Sequence, residues 1–197
     1  MKIMIDIAKI EDDIKHTSEH LELISKILTS YDIVYNILNN KNISLAKDFE
    51  IEFSNFQYIL VLSQFELSLI LKAIFFSKSD LEKIHNIKRG LLILYETKVA
   101  LDKLSPTLKR IKEDFPQLEN EFSQIITLIK EVKKSISLDR RIEEIRNNVS
   151  GHINPNFLHY YKHIEKIDLS EDYNLLINMK AIFHKIENFV TLVRFSK

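Results

Sequence analysis

Tyr58-Ile59-Leu60-Val61-Leu62-Ser63-Gln64-Phe65-Glu66-Leu67-Ser68-Leu69-Ile70-Leu71-Lys72-Ala73-Ile74-Phe75-Phe76 is the most apolar run of the chain. It is nearly long enough to cross a bilayer, so its reading decides between a membrane segment and the core of a bundle. Gln64, Glu66 and Lys72 interrupt it, and each is costly at a bilayer centre. We read it as the central buried helix of a soluble bundle, apolar on nearly every side because neighbours surround it. Glu66 and Lys72 are then the exceptions. Either they form ordinary surface ion pairs, or they support a functional site from behind. The helix is expected over residues 45–76, starting near Lys47 or Phe53. Ser77-Lys78-Ser79-Asp80 ends it, and Ser79 or Asp80 can cap the next helix.

The remaining composition points the same way. Two Gly and three Pro are too few for a sheet protein with many turns. The fold class is therefore all-α, an up-down helical bundle. A chain of 197 residues suits one domain with an appendage: residues 1–48 as an N-terminal helical extension, 49–197 as the bundle. The formal net charge of zero provides no overall field to gather nucleic acid, though it leaves room for a local basic cleft. With no Cys, disulfides and thiolate metal sites are excluded, in agreement with a reducing cytosol. Met1-Lys2-Ile3-Met4-Ile5-Asp6 has no apolar signal-peptide core. The expectation is a cytoplasmic protein with no membrane partner.

Outward from the central run, residues 3–40 keep a helical beat through Ile7, Ile10, Ile14, Leu21, Ile24, Leu28 and Ile33, as one helix or two. Asn39-Asn40-Lys41-Asn42 stops it. Residues 80–104 form the next helix, where Gly90 costs about 1 kcal/mol relative to Ala and so suggests a close helix approach. Arg89, Tyr95 and Glu96 on it are a polar cluster near a site or an ordinary surface group. Pro106 ends that helix, and a short basic helix follows over 107–114. A longer one is expected from Pro116 to Gly151, with a kink or restart at Ser137 where the stripe slips between Ile136 and Leu138. Residues 156–167 form a short helix. The last helix follows Asp168-Leu169-Ser170-Glu171, with Ser170 as its cap. His16/His20 and His159/His163 have metal-pair spacing but no third ligand fixed by sequence; a helical metal carrier would need stoichiometric metal, and solvated or packed faces are the plainer reading.

The stretch that carries chemistry is Arg140-Arg141-Ile142-Glu143-Glu144-Ile145-Arg146-Asn147-Asn148-Val149-Ser150-Gly151-His152. Leu138, Ile142, Ile145 and Val149 form a buried stripe, and Gly151 can turn the chain out of the helix. Arg offers a planar fork of donors to a phosphate, and His titrates near neutrality and can move a proton at a ribose oxygen. Arg146 and His152 would point apart on one rigid helix. Either the helix ends at Gly151 and His152 swings round, or two copies of the stretch meet in a dimer.

Arg146, Asn147 and His152 resemble the Arg–polar–x(3–5)–His motif of the HEPN superfamily, all-α domains that include many metal-independent ribonucleases of toxin–antitoxin and anti-phage systems. Phe65 to Ala73 is similar to the "E…LKA" pattern of the early core helix in such domains. The resemblance covers about residues 53–197. It implies a HEPN-type bundle with an extra N-terminal helix. It also implies a homodimer with the site in the cleft between subunits, an RNA substrate, no cofactor or metal, and a cognate antitoxin or other protein as partner. His152 would be general acid/base, Arg146 the phosphate ligand, and Asn147 a group that orients His152 or binds phosphate. Arg140, Arg141, Lys134 and Tyr160 are candidate substrate-binding residues, the basic ones for a phosphate backbone and the ring for stacking on a base. Glu66 and Lys72 are candidate accessories. The competing reading is a non-catalytic interaction module for a partner protein or a nucleotide, in which Arg146 is an ion-pair residue and His152 a cap. Intrahelical pairing of Arg140 with Glu144, and of Arg146 with Glu143, belongs to that reading.

Overall fold

A computed structural model describes residues 6–40, 49–138, 140–149 and 162–196. The helices are α1 (Ile7–Asn40), α2 (Phe49–Phe76), α3 (Asp80–Lys103), α4 (Ser105–Asp114), α5 (Glu119–Leu138), α6 (Arg140–Val149) and α7 (Glu171–Phe195), with a 3-10 turn at Pro116–Leu118. No strand occurs among the described residues.

The central run is the hub. Phe53, Phe56, Leu60, Leu67 and Ile70 of α2 are sealed from solvent, because α1, α3 and α7 all pack against this helix. The cross-links fix the directions. Glu11 meets Lys72 and His20 meets Gln57, so α1 runs antiparallel to α2. Ser63 meets Thr97 and Asn86 meets Ser77, so α3 does too. Thr191 and Arg194 of α7 reach Gln57 and Ser54, again antiparallel. By length and composition Ile51–Phe76 could cross a membrane, with mean hydropathy 1.9, yet half of its most apolar window lies inside the bundle.

Glu66 and Lys72 are not the only polar residues of α2 that matter. Ser54, Gln57, Ser63, Gln64 and Ser68 are buried. Ser63 and Ser68 return their hydroxyls to carbonyls one turn back, which lets a hydroxyl sit in an apolar interface at little cost. Short side chains there also let α3 and α7 approach closely.

Gly90 marks a close approach of α3 and α7. A β-carbon on it would lie 2.5 Å and 2.7 Å from the two methyls of Leu176 and 3.2 Å from its Cγ. Leu176 is fully buried and cannot swing aside freely. Gly90→Ala gains about 1 kcal/mol of helix propensity but over-packs the α3–α7 contact, at about 1–3 kcal/mol. The expected net effect is destabilisation by about 1 kcal/mol, read as a lower urea midpoint at unchanged slope. A stabilised variant would show that this contact yields easily.

Helix ends follow local chemistry. The Ser79 hydroxyl accepts the N–H of Glu82 at 3.2 Å and the Glu82 carboxylate accepts that of Lys78 at 2.6 Å, a reciprocal cap. Pro106 sits in the first turn of α4, where a missing N–H is harmless. The helix expected from Pro116 to Gly151 is divided into the 3-10 turn, α5 and α6, and the break comes after Leu138 rather than at Ser137. Its cause is the slip from Ile136 to Leu138: one straight helix cannot keep both Ile136 and Ile142 buried, and both are. Ser170 does not cap α7 through its side chain. Asp168 does so, accepting the N–H groups of Ser170 at 2.8 Å and Glu171 at 2.7 Å. Of the expected helix at 156–167, residues 162–164 are helical, 165–167 turn out of the helix with Ile167 N–H bonded to the Ile164 carbonyl, and 156–161 lie outside the described residues.

Candidate active site

Ile142 and Ile145, each 1% exposed, anchor α6 where it packs on α3 and α5. That fixes which way its polar residues face. Arg146, in the last turn, keeps 46% of its side chain exposed. Its Nη1 donates to Asn147 Oδ1 at 3.1 Å. Its Nε lies 3.7 Å from the Glu96 carboxylate, and the guanidinium sits over the Tyr95 ring, 5.4 Å from the centroid. A cation on an aromatic face and beside a carboxylate has its plane restrained on two sides. Tyr95 and Glu96 thus act as positioning residues for Arg146. Of the polar cluster expected on α3, these two are the members brought to the motif.

Arg141 has a different task. Nη2 lies 3.1 Å from Asp172 Oδ1, and Nη1 donates to the Lys166 carbonyl at 3.0 Å. Asp172 is 1% exposed and also accepts the Asp168 N–H at 2.8 Å. Arg141 is thus engaged by a buried carboxylate and a backbone carbonyl, while 34% of its side chain stays exposed. Three positions on, nearly one helical turn, Glu144 holds Lys166 at 2.5 Å and approaches His163 at 3.5 Å. The hydrogen bond from Lys166 holds the Glu144 carboxyl below the usual range, and the backbone N–H groups of Glu171 and Ser170 do the same for Asp168. Glu144 and Arg146 therefore both reach outside their own helix, to Lys166 and to α3, where the sequence suggested pairing within α6.

Arg140 and Lys134 are exposed, on α6 and α5. Lys133, beside Lys134, is drawn to Asp102 at 2.9 Å and holds that carboxyl below its usual range. Lys72 meets Glu11 of α1 at 2.7 Å, an ordinary ion pair between helices, and Glu66 is half-buried on the same helix. Both belong to α2, whereas α6 rests on α3 and α5, and Tyr95 and Glu96 touch Arg146 from outside its helix. His152 and Tyr160 lie outside the described residues, as does His159. His16 approaches Asp12, and His20 sits between Glu187 and Gln57. Among the described residues no cluster of three acidic or histidine side chains has the geometry of a metal site.

The residues missed in the sequence are Asp168 and Asp172. The available signal was an Asp four residues before a second Asp at a helix start, where the first carboxylate can take N–H groups of the opening turn and the second can take the N–H of the first. Comparisons with protein-family models, with curated proteins and with solved structures return no match.

Proposed function

We propose that this protein is a metal-independent endoribonuclease of HEPN type, acting as a homodimer in a toxin–antitoxin or anti-phage setting. The observation that carries the reading is Arg146: exposed at the end of α6, joined to Asn147, and restrained by Tyr95 and Glu96 six residues before His152. A restrained guanidinium open to solvent is what stabilisation of a phosphorane-like transition state needs. In this mechanism an imidazole of His152 takes the proton from a ribose 2′-hydroxyl as its oxygen attacks the adjacent phosphorus. The bond to the 5′-oxygen breaks, and that oxygen receives a proton. With two copies of the stretch meeting in a dimer, one imidazole takes the proton and the other gives it. The products are a cyclic 2′,3′-phosphate and a 5′-hydroxyl, so DNA is not a substrate.

The test is cleavage of RNA by the purified protein in EDTA, with His152→Ala alongside and the product ends analysed. Expected are EDTA-resistant cleavage, cyclic-phosphate ends, and loss of cleavage in the variant. A variant that cleaves as well as the parent removes His152 from the mechanism.

One observation favours the second reading, a non-catalytic interaction module. Glu96 already occupies one side of Arg146 at 3.7 Å, and a carboxylate there competes with a phosphate. A folded dimer that cleaves no RNA, with His152→Ala altering only stability or partner affinity, would support the module.

A further inference from the structure

Between α1, α2 and α7 lies a cavity of about 630 Å³, open along one side. That volume is typical of small-molecule sites. α1 and α7 run parallel in register, Asp13 pairing with Lys180 and His20 with Glu187. The cavity follows them from Asp6 and Tyr173 at one end to His20 and Glu187 at the other. This is about 20 Å at 1.5 Å per helical residue, so the space is elongated. Ile10, Val61, Leu71 and Ile177 line it.

Its polar groups are unevenly satisfied. Asp13 is paired with Lys180. Glu187 has His20 at 3.5 Å and the Thr191 hydroxyl at 3.0 Å. Asp6 accepts the backbone N–H of Lys9 at 3.1 Å. The Lys9 ammonium, by contrast, has no carboxylate partner among the described residues, and neither has that of Lys185. Tyr173 is part of the wall and 3% exposed, and its hydroxyl has no hydrogen-bond partner among the described residues. Burial pushes that phenol up to about 12, so it stays a neutral donor. A buried hydroxyl without a partner costs about 1–3 kcal/mol unless something else receives it.

We infer that this cavity binds a small amphipathic anion, with its acidic head at the Lys9–Tyr173 end and its apolar body extended past Leu71 and Ile177 toward Val61. The Tyr173 hydroxyl donates to an oxygen of the head, and Lys9 balances its charge. A carboxylate and a phosphate monoester share this chemistry. The site is separate from Arg146 and does not depend on the ribonuclease reading.

Calorimetric titration of the full chain with decanoate, decyl phosphate and decyltrimethylammonium tests it. Expected is saturable one-to-one binding of at least one anion and none of the cation. The tighter of the two anions identifies the head group. Tyr173→Phe removes a hydroxyl that has no protein partner, so it leaves thermal stability unchanged or raised, yet weakens anion binding about fivefold. Lys9→Glu, at an exposed position, weakens it about fivefold as well. Should Tyr173→Phe fail to fold, Lys9→Glu still decides. Non-saturable heats, equal binding of the cation, or affinities indifferent to both substitutions would overturn the inference and leave a hydrated gap between helices.

Discussion

Arg146→Ala is expected to lower RNA cleavage about 100–1,000-fold, in kcat rather than in KM, while leaving thermal stability nearly untouched. The asymmetry follows from position. About half of the side chain is in solvent and its ion pair with Glu96 is long, at 3.7 Å, so the pair contributes little to folding, about 0–1 kcal/mol. Charge accumulating on a phosphate in the transition state has far more to lose. Lysine in its place supplies the charge without the planar fork, and cannot lie over Tyr95 in the same way, so Arg146→Lys is expected to recover only a small part of the rate. Single-turnover cleavage and a melting curve on the same preparations check both halves. Cleavage unchanged in Arg146→Ala would make Arg146 a surface ion-pair residue.

Arg141→Ala, five positions away in the same helix, is expected to do the reverse. It leaves Asp172 at 1% exposure with its charge opposed only by the Asp168 N–H and its remaining neighbours. Removing one partner of a buried pair commonly costs about 3–5 kcal/mol. The Arg141 side chain is 34% exposed, which weakens the pair by solvent screening, so about 2–3 kcal/mol is the expected loss. In a chain of this size that lowers Tm by roughly 4–12 °C. Adding Asp172→Asn to Arg141→Ala removes the stranded charge and should recover part of the loss, which urea unfolding of the single and double variants measures. A loss below about 0.5 kcal/mol would mean that water reaches Asp172 readily.

The all-α class was legible because it depends on composition and periodicity, which local sequence carries directly. The run from Tyr58 to Phe76 could be recognised as the hub because a helix apolar all round must be surrounded. Breaks at Ser77–Asp80 and at Ser105–Pro106 were legible for the same reason: caps and prolines act within a few residues. Long-range assignments were harder. Arg140, Arg141 and Arg146 look alike in sequence, yet Arg141 is claimed by Asp172, Arg146 by Tyr95 and Glu96, and Arg140 faces solvent. What separates them is which face of α6 the isoleucines bury, together with the positions of α3 and α7, and no spacing within the stretch states either. Lys72 shows the same limit, since its partner Glu11 is 61 residues away. Ser170 shows a subtler one. Two capping residues lie two apart, and Asp168 prevails because its carboxylate reaches two backbone N–H groups and Asp172 returns the favour.

The clamp made by Arg141 and Glu144 on Lys166, His163 and Asp172 also acts as a tether. It holds His163, Lys166 and the start of α7 against one side of α6. The position of α6, and with it that of Arg146, is therefore set partly by interactions that do not touch Arg146. Loosening the clamp in Arg141→Ala would free α6 to shift on its bed of α3 and α5 as well as weaken the fold.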